Sequence, residues 1–137
     1  MNETASADAA APAAPTPFEL IGGEPVIRRI AQRFYEMMAS DPAAAPLRAM
    51  HAPDLAPMQA KLGDFLVQWT GGPPLYFSRS DARCMGQAHA PYVIDEAIRA
   101  QWLACMARAL DDAAVPATIR PLIDQACERM TAGMVNR

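Results

Sequence analysis

The sequence predicts an all-α domain, and three observations carry that prediction. Several stretches place apolar residues at the three- and four-residue spacing of one helical face. No stretch sustains the apolar/polar alternation of a half-buried strand. Proline and glycine clusters cut the chain into segments of helical length. With 137 residues, 52% of them hydrophobic and 20% charged, the chain can bury one core and is too short for two ordinary domains.

Residues 1–17 are rich in Ala, Pro, Ser and Thr and show no apolar period, so they read as a disordered tail before a folded domain over 18–137. Gly22-Gly23 and Pro25 then open a helix, because proline suits a first helical turn. Its apolar face is Ile27, Ile30, Phe34 and Met37, with Tyr35 at the edge, and Asp41-Pro42 closes it. Pro42, Pro46, Pro53 and Pro57 allow only short turns in the following corner, which holds His51. Met58, Leu62, Phe65, Leu66 and Trp69 form a second helical face, ended by Gly71-Gly72-Pro73-Pro74. A loop over 75–83 with exposed Arg79 and Arg83 leads to a short helical turn from Cys84 to His89, which Pro91 interrupts. Asp95 caps a longer helix with Ile94, Ile98, Trp102, Cys105 and Ala109 inward and a solvated Asp111-Asp112 pair near its end. Pro116 and Thr118 open the last helix, with Ile119, Leu122, Ile123, Ala126, Met130 and Met134 inward. The expected architecture is four main helices joined by short turns.

Composition narrows the function. The 12 Lys and Arg against 15 Asp and Glu give a net charge of -3, a poor basis for binding a phosphate backbone. No apolar run approaches the ~20 residues of a membrane span. Cys84, Cys105 and Cys127 form no C-x-x-C pair, which argues against a zinc ribbon, a thioredoxin-type site and a disulfide framework, and for a reducing, cytoplasmic setting. Glu3 and Asp8 stand where a secretory signal would be basic. Gly22-Gly23 lacks the further glycines of a phosphate loop.

The ligand supply is thin, with 2 histidines and no Cys/His cluster. A closed zinc site needs four protein ligands. Haem asks less of the protein: its porphyrin supplies four nitrogens, so one axial side chain suffices. His89, ahead of Ala90-Pro91, is the candidate axial ligand, because the proline stops the turn and fixes the direction in which the chain leaves. The plainer reading is a half-buried histidine with a hydrogen-bonded ring. Without C-x-x-C-H, covalent haem attachment is not expected.

Five blocks occur in order: Phe34-Tyr35, Met50-His51, Phe65-Leu66-x-x-Trp69-x-Gly71-Gly72-Pro73, His89-Ala90-Pro91-Tyr92, and Trp102-Leu103-x-Cys105-Met106. Together they resemble the truncated haemoglobins of group II, over nearly the whole span from Phe18 to the last helix. The resemblance implies a globin-like two-over-two helical sandwich around a non-covalent haem b, with His89 as the proximal iron ligand. It implies Tyr35, His51 and Trp102 on the distal side, Met58 and Leu62 as apolar distal helix positions, and Lys61 near a haem propionate. Taken singly, Tyr35 and Trp102 read as core residues, His51 and Lys61 as surface residues, and Cys105 as a small buried hydrophobe; their ordered co-occurrence favours the family. The chain departs from many relatives at Asp81-Ala82-Arg83, where they carry Gly-His-Pro.

The implied function is binding of dioxygen, NO or CO, in oxygen binding, transport or sensing, by a monomer or homodimer. One alternative is a haem enzyme with peroxidase-like or nitric oxide dioxygenase activity, which needs an external electron donor. Another is a haem-free helical interaction module.

Overall fold

The computed structural model describes residues 13–137, so most of the expected tail lies outside the described residues. The fold begins earlier than composition suggested. Thr16 and Pro17, assigned to the tail, are the cap and first residue of α1 (Pro17–Ile21). The Thr16 hydroxyl accepts from the Glu19 N–H at 3.2 Å, and the Glu19 carboxylate accepts from the Thr16 N–H at 2.9 Å. That reciprocal pair satisfies two donors a helix start leaves orphaned, which a proline-rich composition conceals.

Gly22 and Gly23 take φ of 121° and 78°, a backbone glycine adopts without strain, and so turn the chain into α2 (Glu24–Ser40). Its buried side holds Ile27, Ile30, Ala31, Phe34, Tyr35, Met37 and Met38, the predicted stripe widened by its neighbours. Asp41 ends α2 and caps a 3₁₀ turn, Pro42–Ala44, followed by the one-turn helix α3 (Ala45–Ala49). These are the short turns the prolines require. α4 (Ala56–Trp69) takes Pro57 into its own first turn. It ends where the Thr70 hydroxyl donates to Leu66 O at 2.6 Å. α5 (Met85–His89) is the predicted short turn, and Asp95 caps α6 (Glu96–Asp112) by accepting from the Ile98 N–H at 2.9 Å.

The last helix, α7 (Arg120–Ala132), starts later than expected. Pro116 and Thr118 lie in a preceding turn, closed by the Ile119 N–H donating to Pro116 O at 3.0 Å, and Pro121 occupies the helix's first turn. The buried stripe is Ile123, Cys127 and Thr131, and Leu122 is 49% exposed. One further expectation is corrected. Arg79, expected to be exposed, is half-buried and reaches Asp64 at 2.6 Å and Asp81 at 2.9 Å. Asp111 and Asp112 are exposed, as expected of a solvated pair, and each is also ion-paired, with Arg120 at 2.5 Å and Arg33 at 2.6 Å. Local sequence could not show the partners Asp64, Arg120 and Arg33, because they sit on other elements.

Among the described residues there is no strand, and no helix is long and apolar enough to cross a membrane. α2 packs across both α4 and α6, and α7 packs on α6. Two helix pairs, α2/α4 and α6/α7, are thus joined through α2 and α6, with Ile27, Phe34, Met38 and Val67 as the largest fully buried side chains. Arg28 ties α2 to α4 by donating to Ala60 O at 3.3 Å and Asp64 at 2.6 Å. Arg99 ties α6 to α7 by donating to Glu128 O at 2.8 Å. Such half-exposed pairs set register more than stability.

The end of α4 gives a direct test of this packing. A Cβ on Gly72 would lie 2.8 Å from both the Phe18 ring and Val67 O. Gly72→Ala is expected to lower unfolding free energy by about 1–3 kcal/mol through overpacking, measured by denaturant titration.

Candidate functional site

α4 and α6 both pack on α2 without substantial packing on each other, and α5 has no extensive packing with another helix. Met58, Leu62, Phe65 and Trp69 of α4, with Ile98, Trp102 and Leu103 of α6, pack against the core while remaining only partly buried. Apolar side chains left half-covered in this way can be covered by an apolar ligand.

His89 ends α5. Its Nδ1 lies 2.7 Å from Met85 O, one helical turn back. A carbonyl oxygen can only accept, so Nδ1 carries the proton and the neutral ring's Nε2 keeps its lone pair. That is the arrangement an imidazole needs to ligate a metal.

On α2, Tyr35 is 5% exposed, set edge-on to Phe34 at 5.0 Å and to His51 at 5.9 Å. Burial pushes its hydroxyl pKa up, so it stays protonated and able to donate. Trp102 of α6 meets the same Phe34 ring at 5.2 Å. Neither the Tyr35 hydroxyl nor the Trp102 indole N–H has a hydrogen-bond partner among the described residues. Tyr35 and Trp102 thus both meet the Phe34 ring, and His51 lies against Tyr35.

His51 follows the logic of His89. Its Nδ1 lies 2.9 Å from Leu47 O, so Nδ1 donates and Nε2 is left as an acceptor. Burial lowers its pKa; the Leu47 bond opposes this, and the charges of Arg48 and His89 add to it. His51 is therefore held neutral, and it lies within electrostatic reach of His89.

Lys61, expected beside a propionate, pairs with Asp81 at 3.2 Å. Asp81 belongs to the segment that departs from the family pattern. Its carboxyl is pulled down to about 2, first by Arg79 and then by Lys61. Met58 and Leu62 lie half-buried on α4. Cys105 is buried at 3% exposure and fits its plain reading. Sequence reasoning passed over Tyr76, which is 3% exposed and edge-on to Phe65 at 5.6 Å. The apolar run Leu75-Tyr76-Phe77 inside a polar loop was the available signal.

Among the described residues no three His, Cys, Asp or Glu side chains cluster to hold a bare metal ion. A hollow of about 290 Å³ between α2 and α4, lined by Arg28, Ala31, Ala56, Gln59 and Ala60, includes none of the predicted residues. The residues present do fit haem: one imidazole with a free lone pair, a half-covered apolar lining, and a buried tyrosine hydroxyl and a half-buried indole N–H without partners among the described residues.

Residues 16–136 match the family model of bacterial-like globins. The group 2 truncated hemoglobin YjbI of Bacillus subtilis (strain 168) is 32% identical over 121 residues, which span 88% of this chain and 89% of that protein. The solved group II 2-on-2 hemoglobin of the plant pathogen Agrobacterium tumefaciens is 35% identical, with a TM-score of 0.86 over 93% of this chain and 98% of the other. The truncated oxygen-avid haemoglobin of Bacillus subtilis is 32% identical, with a TM-score of 0.81 over 89% of this chain and all (100%) of that one.

An unpartnered hydroxyl in a buried position costs stability. Tyr35→Phe is expected to raise the unfolding free energy of the haem-free protein by about 1 kcal/mol, measured by denaturant titration. A fall of that size would mean that the hydroxyl has a structural partner.

Proposed function

This chain belongs to the bacterial-like globin family, with group II truncated haemoglobins as its relatives, and on that premise we propose that it is a haem protein holding dioxygen tightly through a buried tyrosine and a half-buried tryptophan donor. The family supports haem-based binding of diatomic gases. The finer reading concerns what this chain's own residues do.

When bound, haem b supplies an iron position at which a diatomic gas takes on partial negative charge. His89 Nε2 is the proposed axial ligand, with its ring direction set by Met85 O. Tyr35 and Trp102 are the proposed donors toward the gas, and His51 the acceptor beside them. Met58 and Leu62 would keep the distal face apolar, and Lys61 would share its charge between Asp81 and a propionate. The observation that carries this reading is the buried, protonated Tyr35 hydroxyl, which has no partner among the described residues. A donor to a charged acceptor contributes about 1.5–3 kcal/mol, or roughly a ten- to hundredfold slower escape. Slow release suits sensing, scavenging or redox chemistry better than bulk delivery. The Bacillus subtilis relative described as oxygen-avid is consistent with this. The unpaired cysteines suit a cytoplasmic setting.

One observation favours a second reading. A neutral His51 with a free acceptor nitrogen can take a proton from a peroxide, which suits peroxidase-like turnover with an external reductant. Sustained oxidation of a dye substrate by peroxide, lost in His51→Phe, would support it; haem bleaching without turnover would remove it.

Stopped-flow oxygen release tests the main reading. Tyr35→Phe and Trp102→Phe are each expected to retain haem and to speed release roughly ten- to a hundredfold. The double variant is needed because neighbouring donors need not add. Unchanged release in all three variants would reject the assigned donors.

A further inference from the structure

α5 carries His89 yet has no extensive packing with another helix, so its place depends on what holds its two ends. Upstream, the Tyr76 hydroxyl donates to Arg83 O at 2.6 Å and accepts from the Arg83 N–H at 3.2 Å. Tyr76 is itself buried against Phe65 of α4. Downstream, Asn136 lies beyond the end of α7 and grips the segment between α5 and α6. Its Oδ1 accepts from the Ile94 N–H at 2.8 Å, and its Nδ2 donates to Tyr92 O at 2.8 Å. Its own N–H donates to Ile94 O at 2.9 Å. Ile94 is 7% exposed, so the grip closes on a buried anchor.

We propose that Asn136 is a positioning residue for His89: its amide, bridging Tyr92 and Ile94, fixes where α5 presents the imidazole. The inference rests on reading His89 as the axial ligand. The bond to Met85 orients the ring only relative to its own helix. Placing that helix against the bundle falls to the ties at Arg83 and at Tyr92 and Ile94. Asparagine suits the downstream tie because one short, planar amide offers an acceptor and a donor together. Aspartate keeps the acceptor and loses the donor, and alanine loses both.

The test uses the full chain loaded with haem and compares wild type, Asn136→Ala, Asn136→Asp and His89→Ala. Three readouts are needed: the ferrous iron–histidine stretch by resonance Raman, the rate of haem transfer to apomyoglobin, and the melting temperature. Asn136→Ala is expected to shift or broaden the iron–histidine band and to speed haem transfer about tenfold, the lower end for a group that orients a metal ligand. Asn136→Asp should fall between it and wild type, and it decides the matter if the alanine variant does not fold. An unmoved band and transfer rate, with or without a lower melting temperature, would overturn the proposal. His89→Ala should abolish the band. If the band persists there, the ligand assignment itself fails, an outcome distinct from the failure of Asn136 alone.

Discussion

A carbonyl oxygen has no proton to give, so the 2.7 Å contact between Met85 O and His89 Nδ1 decides which ring nitrogen carries hydrogen. The other nitrogen is then free to ligate. Much of the remaining architecture makes sense around that free lone pair. α4 and α6 each pack on α2 rather than extensively on each other, several of their large apolar side chains stay half-covered, and α5 has no extensive packing with another helix. A closed helical bundle would have buried those side chains against one another. Under the proposed function, haem would cover those side chains.

The proposed distal side works by a different constraint. Tyr35 is buried on α2 and Trp102 meets the same Phe34 ring from α6, yet neither polar tip is bonded within the described residues. Buried polar groups are normally paired, so a buried Tyr35 hydroxyl without a partner among the described residues carries a stability cost of the kind a binding site accepts. His51 adds the complementary property. Its bond to Leu47 turns its open nitrogen into an acceptor, so the three side chains are two donors and one acceptor rather than three equivalent donors. This division would allow one pocket to retain a gas and also to move a proton.

Helical periodicity made α2, α4 and α6 legible because each has one long apolar stripe set by its own spacing. The ordered aromatic and histidine blocks then made the family legible. What stayed hidden depends on partners far away in the chain or on reciprocal local geometry. α1 is held by a capping box inside a segment whose composition reads as a tail. The register of α7 was misjudged because Pro116 looked like a helix start, whereas Pro121 fills that role. The ion pairs of Arg79, Asp111, Asp112 and Lys61 join separate elements that no local pattern connects. Asn136 meets Ile94 across 42 positions of sequence, and nothing in a terminal Val-Asn-Arg announces such a tie.

Haem titration of the purified full-length chain, followed by absorbance, tests the central claim most directly. The account predicts stoichiometric uptake of one haem and a sharp Soret band of a histidine-ligated globin. A spectrum that remains that of free haem, with no saturable uptake, would contradict it.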